Sequence, residues 1–147
     1  MTTTVADRIE RSIDIDAPAD RVWGLVSTPG WWINDGTVTD NTVEDRGDHV
    51  VVRNAEHGEF RVVVVVLDPP SAAAFRWSSG NRDDGTQPTT LVEFAIEPRP
   101  GGGVTLTVVE SGFAGLSPDR RESTYRDNDE GWASELAAAR MFLTTAP

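Results

Sequence analysis

Cysteine is absent from this 147-residue chain, which excludes a disulfide framework, a thiol nucleophile and any zinc site built on sulfur. Histidine is nearly absent: His49 and His57 sit beside turn clusters without His-x-x-x-His spacing, so no metal site and no cofactor are expected. Positive charge is in short supply, with 13 basic against 24 acidic side chains and a net charge of −11. Such a surface repels phosphate backbones and anionic headgroups, so neither nucleic acid nor a membrane surface is an expected partner.

Long apolar runs are missing too. None approaches the roughly 18 residues that span a bilayer, and MTTTVADRIE has neither a basic n-region nor an apolar h-region. The expected location is the cytoplasm. Serines lack a nucleophile-elbow context, and Gly101-Gly102-Gly103 leads into a strand where a phosphate loop would need a helix. No catalytic residue is assigned. Without repeats, linkers or low-complexity tracts, residues 1–147 read as one domain, with 1–7 as a disordered tail.

What the chain does have is alternation. Ile9, Ile13 and Ile15 alternate with polar residues in a first half-buried strand that places Arg11 on its apolar side. Asp16-Ala17-Pro18 then starts a short helix with Val22, Trp23 and Val26 as its stripe, proline at the first helical position and Asp16 as cap. Trp31, Trp32 and Ile33 follow Pro29-Gly30 in one short turn.

Residues 37–43, 48–55 and 59–68 read as three strands. The five valines Val62 to Val66 imply that both faces of the third are at least partly covered. Residues 71–78 are the next strand, and the polar stretch 79–88 is a loop. A hairpin comes after it. Val92, Phe94 and Ile96 point inward on its first arm, and Val104, Leu106, Val108 and Glu110 on its second.

From about Arg120 a long helix carries Tyr125, Trp132, Leu136, Ala139 and Leu143 as an amphipathic stripe. Gly131 inside it suggests close packing or a kink. Together these elements describe an α+β domain, a curved antiparallel sheet closed over one C-terminal helix.

Several strings, in this order, resemble the START-like or SRPBCC helix-grip superfamily, and within it the chaperone-ATPase-activator-like branch. They are the Ile13-x-Ile-x-Ala-Pro-Ala-x-x-Val-Trp23 opening, Gly58-Glu-Phe60 leading to Asp68-Pro-Pro70, Phe75-Arg-Trp77, Glu110-Ser-Gly-Phe113, and Gly131-Trp132 before a helical leucine. The resemblance covers about nine-tenths of the chain. It implies seven strands wrapped around the C-terminal helix, two short helices after the first strand, and a ligand cavity between sheet and helix. It also makes the first and last strands neighbours.

Glu110 is the most suggestive single residue, because an unpaired carboxylate on an apolar face is costly. A pair with Arg11 is the leading expectation. The roles open to Glu110 are a structural ion pair, a ligand-orienting carboxylate, a general base, or simple exposure at a frayed strand end. Eight of the eleven aromatic residues fall on inward positions or beside the cavity. Trp31, Trp32, Phe60 and Phe75 are candidate ligand-binding residues, as are Trp77, Phe94, Phe113 and Trp132, with Leu136, Glu110 and Arg11 beside them.

The expected function is binding or carrying a small hydrophobic or aromatic molecule. Alternatives are a cavity enzyme of cyclase, dehydratase or hydrolase type and a module that stimulates a chaperone ATPase. A chaperone is not the expected partner, since the N-terminal domain of a dedicated activator is missing. Whether the chain forms a homodimer stays open.

Overall fold

A computed structural model describes residues 7–78 and 89–144. The expected tail at 1–7 lies outside them except for Asp7, and the loop at 79–88 lies outside them entirely. Seven antiparallel strands form one sheet: β1 (Arg8–Ile15), β2 (Thr42–Asp45), β3 (Val50–Asn54), β4 (Gly58–Asp68), β5 (Ala72–Trp77), β6 (Thr90–Pro98) and β7 (Val104–Ser111). Their order is β1-β7-β6-β5-β4-β3-β2. The expected seven-stranded curved sheet is therefore present, and the first strand pairs with the last, Ile9 opposite Glu110 and Ile15 opposite Val104.

Among the described residues two α-helices, α1 (Ala19–Val26) and α2 (Pro118–Thr144), and a single 3-10 turn at Phe113–Gly115 complete the fold. Pro18 caps α1 with no side-chain bond, so Asp16 is not its cap and proline precedes the first helical residue. In place of a second short helix, residues 28–33 form successive turns, Trp31 N to Thr28 O and Ile33 N to Gly30 O. Gly30 explains the break, for its φ is +74° and a Cβ there would stand 2.7 Å from Val52. Pro118 opens α2, where a missing N–H costs nothing.

Inward alternation decides the core. Ala73, Phe75 and Trp77 on β5, Val92, Phe94 and Ile96 on β6, and Val104, Leu106 and Val108 on β7 are all buried. Trp132, Leu136, Ala139 and Leu143 of α2 bury themselves against that face, as the helical stripe requires.

Two expectations need correction. Residues 37–41 are no strand: Thr39 N donates to Asn34 Oδ1 and Asn41 N to Thr39 O, so local bonds replace a ladder and β2 starts at Thr42. The valine run is not covered on both faces either. β3 pairs with β4 only as far as Val62, and Val64, Val65, Val66 and Leu67 are exposed beyond it, where β5 is the one paired strand among the described residues, across a register shift. Among the described residues no helix is long and apolar enough to cross a membrane.

Candidate functional site

Glu110 stands at the inward end of β7 and is 0 % exposed. Its partner is not Arg11. Arg11 lies opposite Val108, not opposite Glu110, and its guanidinium turns to Asp129 on α2 at 2.9 Å, which holds the Arg11 pKa above its ordinary value.

Neutral donors surround Glu110 instead. Oε1 accepts from Trp132 Nε1 at 2.8 Å and Asn128 Nδ2 at 3.1 Å. Oε2 accepts from Trp77 Nε1 at 3.0 Å, Asn128 Nδ2 at 3.2 Å and the Thr90 hydroxyl. Carboxylate oxygens offer about four lone-pair sites between them, so this set leaves Glu110 no capacity for a ligand. It ties β5, β6 and β7 to α2.

Trp32 is the hub of the aromatic interior. Its ring centroid lies 5.4 Å from Phe75, 5.5 Å from Trp77, 5.6 Å from Phe94, 5.9 Å from Trp132 and 6.3 Å from Trp31. Adjacent tryptophans do share this core, because the turn at 28–33 lets Trp31 reach Phe94 at 5.4 Å while its own ring stands edge-on to Trp32. Much of the space between sheet and helix is thereby filled. Phe113 lies elsewhere, edge-on to Tyr125 with centroids 5.2 Å apart.

A pocket of about 210 Å3 remains beside this cluster, lined by four of the candidate aromatics, Trp32, Phe60, Trp77 and Trp132. Ile33, Asn34, Asp35 and His57 form one rim; Asp127, Asn128, Gly131 and Glu135 of α2 form the other. Trp31, Phe75, Phe94 and Leu136 pack behind it, and Arg11 and Phe113 stand outside it. Gly131 is not a point of close packing: a Cβ there would meet nothing within 4 Å. Its missing side chain leaves pocket volume.

Glu135, which the sequence reading missed, is 7 % exposed. Oε1 accepts from Asn34 Nδ2 and Oε2 from Gly36 N, both at 3.1 Å, so Glu135 clasps the Trp31–Gly36 segment to α2. Burial raises its pKa above the usual 4.5, partly offset by those two bonds. A folded-state value above the unfolded one stabilises the fold fully below pH 4.5, and that contribution disappears as pH rises through the folded value. Glu135→Gln is accordingly expected to flatten the decline of unfolding free energy with pH above 4.5, in denaturant titrations at successive pH values. An unchanged slope would contradict this assignment.

At the outer rim His57 Nε2 lies 2.8 Å from Asp35 Oδ1, with Glu56 beside them. One donor atom from each of Asp35, Glu56 and His57 fits within 4.8 Å, an arrangement able to hold a divalent cation that histidine spacing alone did not suggest. Asp35 and Glu56 share a hydrogen bond that lowers the Asp35 pKa and raises that of Glu56, with His57 reinforcing the first shift. All three sit near the surface.

Residues 6–142 match the profile of a family described as polyketide cyclase/dehydrase and lipid transport. No curated protein matches the sequence. Among solved structures, protein MLL2253 from Mesorhizobium loti superposes with a TM-score of 0.71 at 18 % identity, over 95 % of this chain and 98 % of that one. DynU16, a protein of the dynemicin biosynthetic locus, gives 0.68 at 21 % identity over 96 % of this chain, which spans 48 % of DynU16. CalU16 from Micromonospora echinospora gives 0.61 at 19 %, over 95 % and 76 %. The solved structures bear out the helix-grip fold, and the family match bears out the superfamily that the sequence strings resemble, without singling out the chaperone-activator branch.

Proposed function

The chain belongs to the polyketide cyclase/dehydrase and lipid transport family, and from that premise we propose that it binds or carries a small hydrophobic or aromatic molecule in the pocket beside Trp32. One observation carries this reading: a space of about 210 Å3 persists among four aromatic walls although the same interior packs its other rings in contact. A fold family hosts many chemistries, so the function is argued from this pocket and not from the topology. A space of this size, open on one side to solvent, suits a compact molecule.

Gly131 supplies the test. Gly131→Ala is expected to raise the unfolding free energy by about 1 kcal/mol, since alanine favours a helix interior and meets no neighbour here. Gly131→Leu should keep the fold and fill the pocket. Calorimetric titration with p-cresol is expected to show binding to the native chain and at least about a tenfold loss in the leucine variant. Equal binding to both chains would remove the pocket from the reading.

The cavity-enzyme alternative draws on Glu135, whose raised pKa and position on the pocket wall suit a general acid. Mass spectrometry of a metabolite extract incubated with the protein distinguishes the two. A ligand returned unaltered favours a carrier, and a converted one favours an enzyme.

A further inference from the structure

Three carboxyl groups line the pocket among the described residues, those of Asp35, Asp127 and Glu135, and no lysine or arginine does. The one imidazole, His57, is already bonded to Asp35. Behind the aromatic walls lies a fourth carboxylate, because Trp77 and Trp132 both donate their indole N–H to Glu110. A ring whose N–H points at a carboxylate gains electron density on its face, and tryptophan faces are the strongest cation binders among side chains. The rings that line it lie in different planes, Trp32 at 88° to Trp77 and at 44° to Trp132. The surrounding net charge of −11 draws cations toward such a mouth.

We propose that the occupant of this pocket is a small organic cation, a methylated ammonium or a compact protonated amine with apolar substituents. The inference rests on the pocket-binding reading above and adds the charge of the ligand to it. An anionic ligand would meet Asp35, Asp127 and Glu135 with no lysine or arginine among the described lining to offset them. A neutral one would leave the acidic rim without a function in binding. A quaternary ammonium uses both parts, its methyl groups against the rings and its charge toward Asp127 and Glu135.

Choline and 3,3-dimethyl-1-butanol have the same shape and differ in charge, which makes them the probes of choice. Calorimetric titration of the full chain at low ionic strength is expected to give choline at least about a tenfold tighter dissociation constant than the alcohol. Asp127 is exposed, so Asp127→Asn should fold normally, weaken choline several-fold and leave the alcohol unaffected. Equal affinity for the two isosteres, or an Asp127→Asn effect common to both, overturns the cation inference. Binding of p-cresol without choline also overturns it but leaves the pocket reading standing. If choline, the alcohol and p-cresol all fail to bind, both readings fall together.

Discussion

Glu110→Gln is expected to cost the fold about 3 kcal/mol and to lower its melting temperature by about 10 °C. The reason is the sign of its neighbours. Trp77, Trp132, Asn128 and Thr90 all present hydrogens to the carboxylate, and glutamine replaces one accepting oxygen with a donating NH2 group. The Thr90 hydroxyl can rotate to accept from the new amide. An indole N–H cannot. Each buried donor left without an acceptor costs roughly 1–3 kcal/mol, and charge-assisted bonds are lost as well. Glu110→Leu strands all four donors and should cost about 5 kcal/mol, enough to abolish cooperative folding in a marginal domain. Thermal and denaturant unfolding decide the matter. A Glu110→Gln variant that melts within about 2 °C of the native chain would show that the carboxylate is not the clamp described here.

The second large effect is a contrast between two tryptophans of equal burial, both 3 % exposed. Trp132 Nε1 bonds Glu110, whereas Trp32 Nε1 has no hydrogen-bond partner among the described residues. Trp132→Phe loses packing and a charge-assisted bond, for a combined cost of about 3–4 kcal/mol. Trp32→Phe loses similar packing but removes a buried, unsatisfied N–H that itself costs about 1–3 kcal/mol, so the net change should lie near zero. Denaturant titrations should therefore separate the two variants by at least about 2 kcal/mol. Equal losses would mean that the Trp32 donor is satisfied in solution.

Much of the architecture was legible because strand alternation and helical periodicity record burial directly. Val104, Leu106, Val108 and Glu110 do share the inward side, and Trp132, Leu136 and Leu143 do form the buried stripe of α2. Pairing of side chains between distant elements leaves no such trace. Asn128 reaches Glu110 from another element, and nothing in the spacing of either residue links them. Arg11 looked like the natural counter-charge, yet Asp129 lay within its reach on the helix.

Glu135 was missed for a related reason. One glutamate in an acidic helix reads as a solvated charge, although its place three residues after Trp132 and one before Leu136 sets it at the edge of the apolar stripe. The cluster of Asp35 with Glu56 and His57 joins two turns more than twenty residues apart and appears only once β4 is folded. Four of the candidate aromatics face the pocket; the sequence could rank none of them above the others, since all lie on inward positions.

The pairing of Arg8 with Ser111 makes assembly of this molecule a late event. During synthesis the hairpins from β2 to β5 can form as they leave the ribosome, but β1 has no neighbour until β7 has been made. Glu110 then meets Thr90 and Trp77, which emerged before it, and must wait for Asn128 and Trp132. A chain whose α2 has not yet docked would therefore hold the Glu110 carboxylate beside Trp77 and Thr90 with two of its four donors missing.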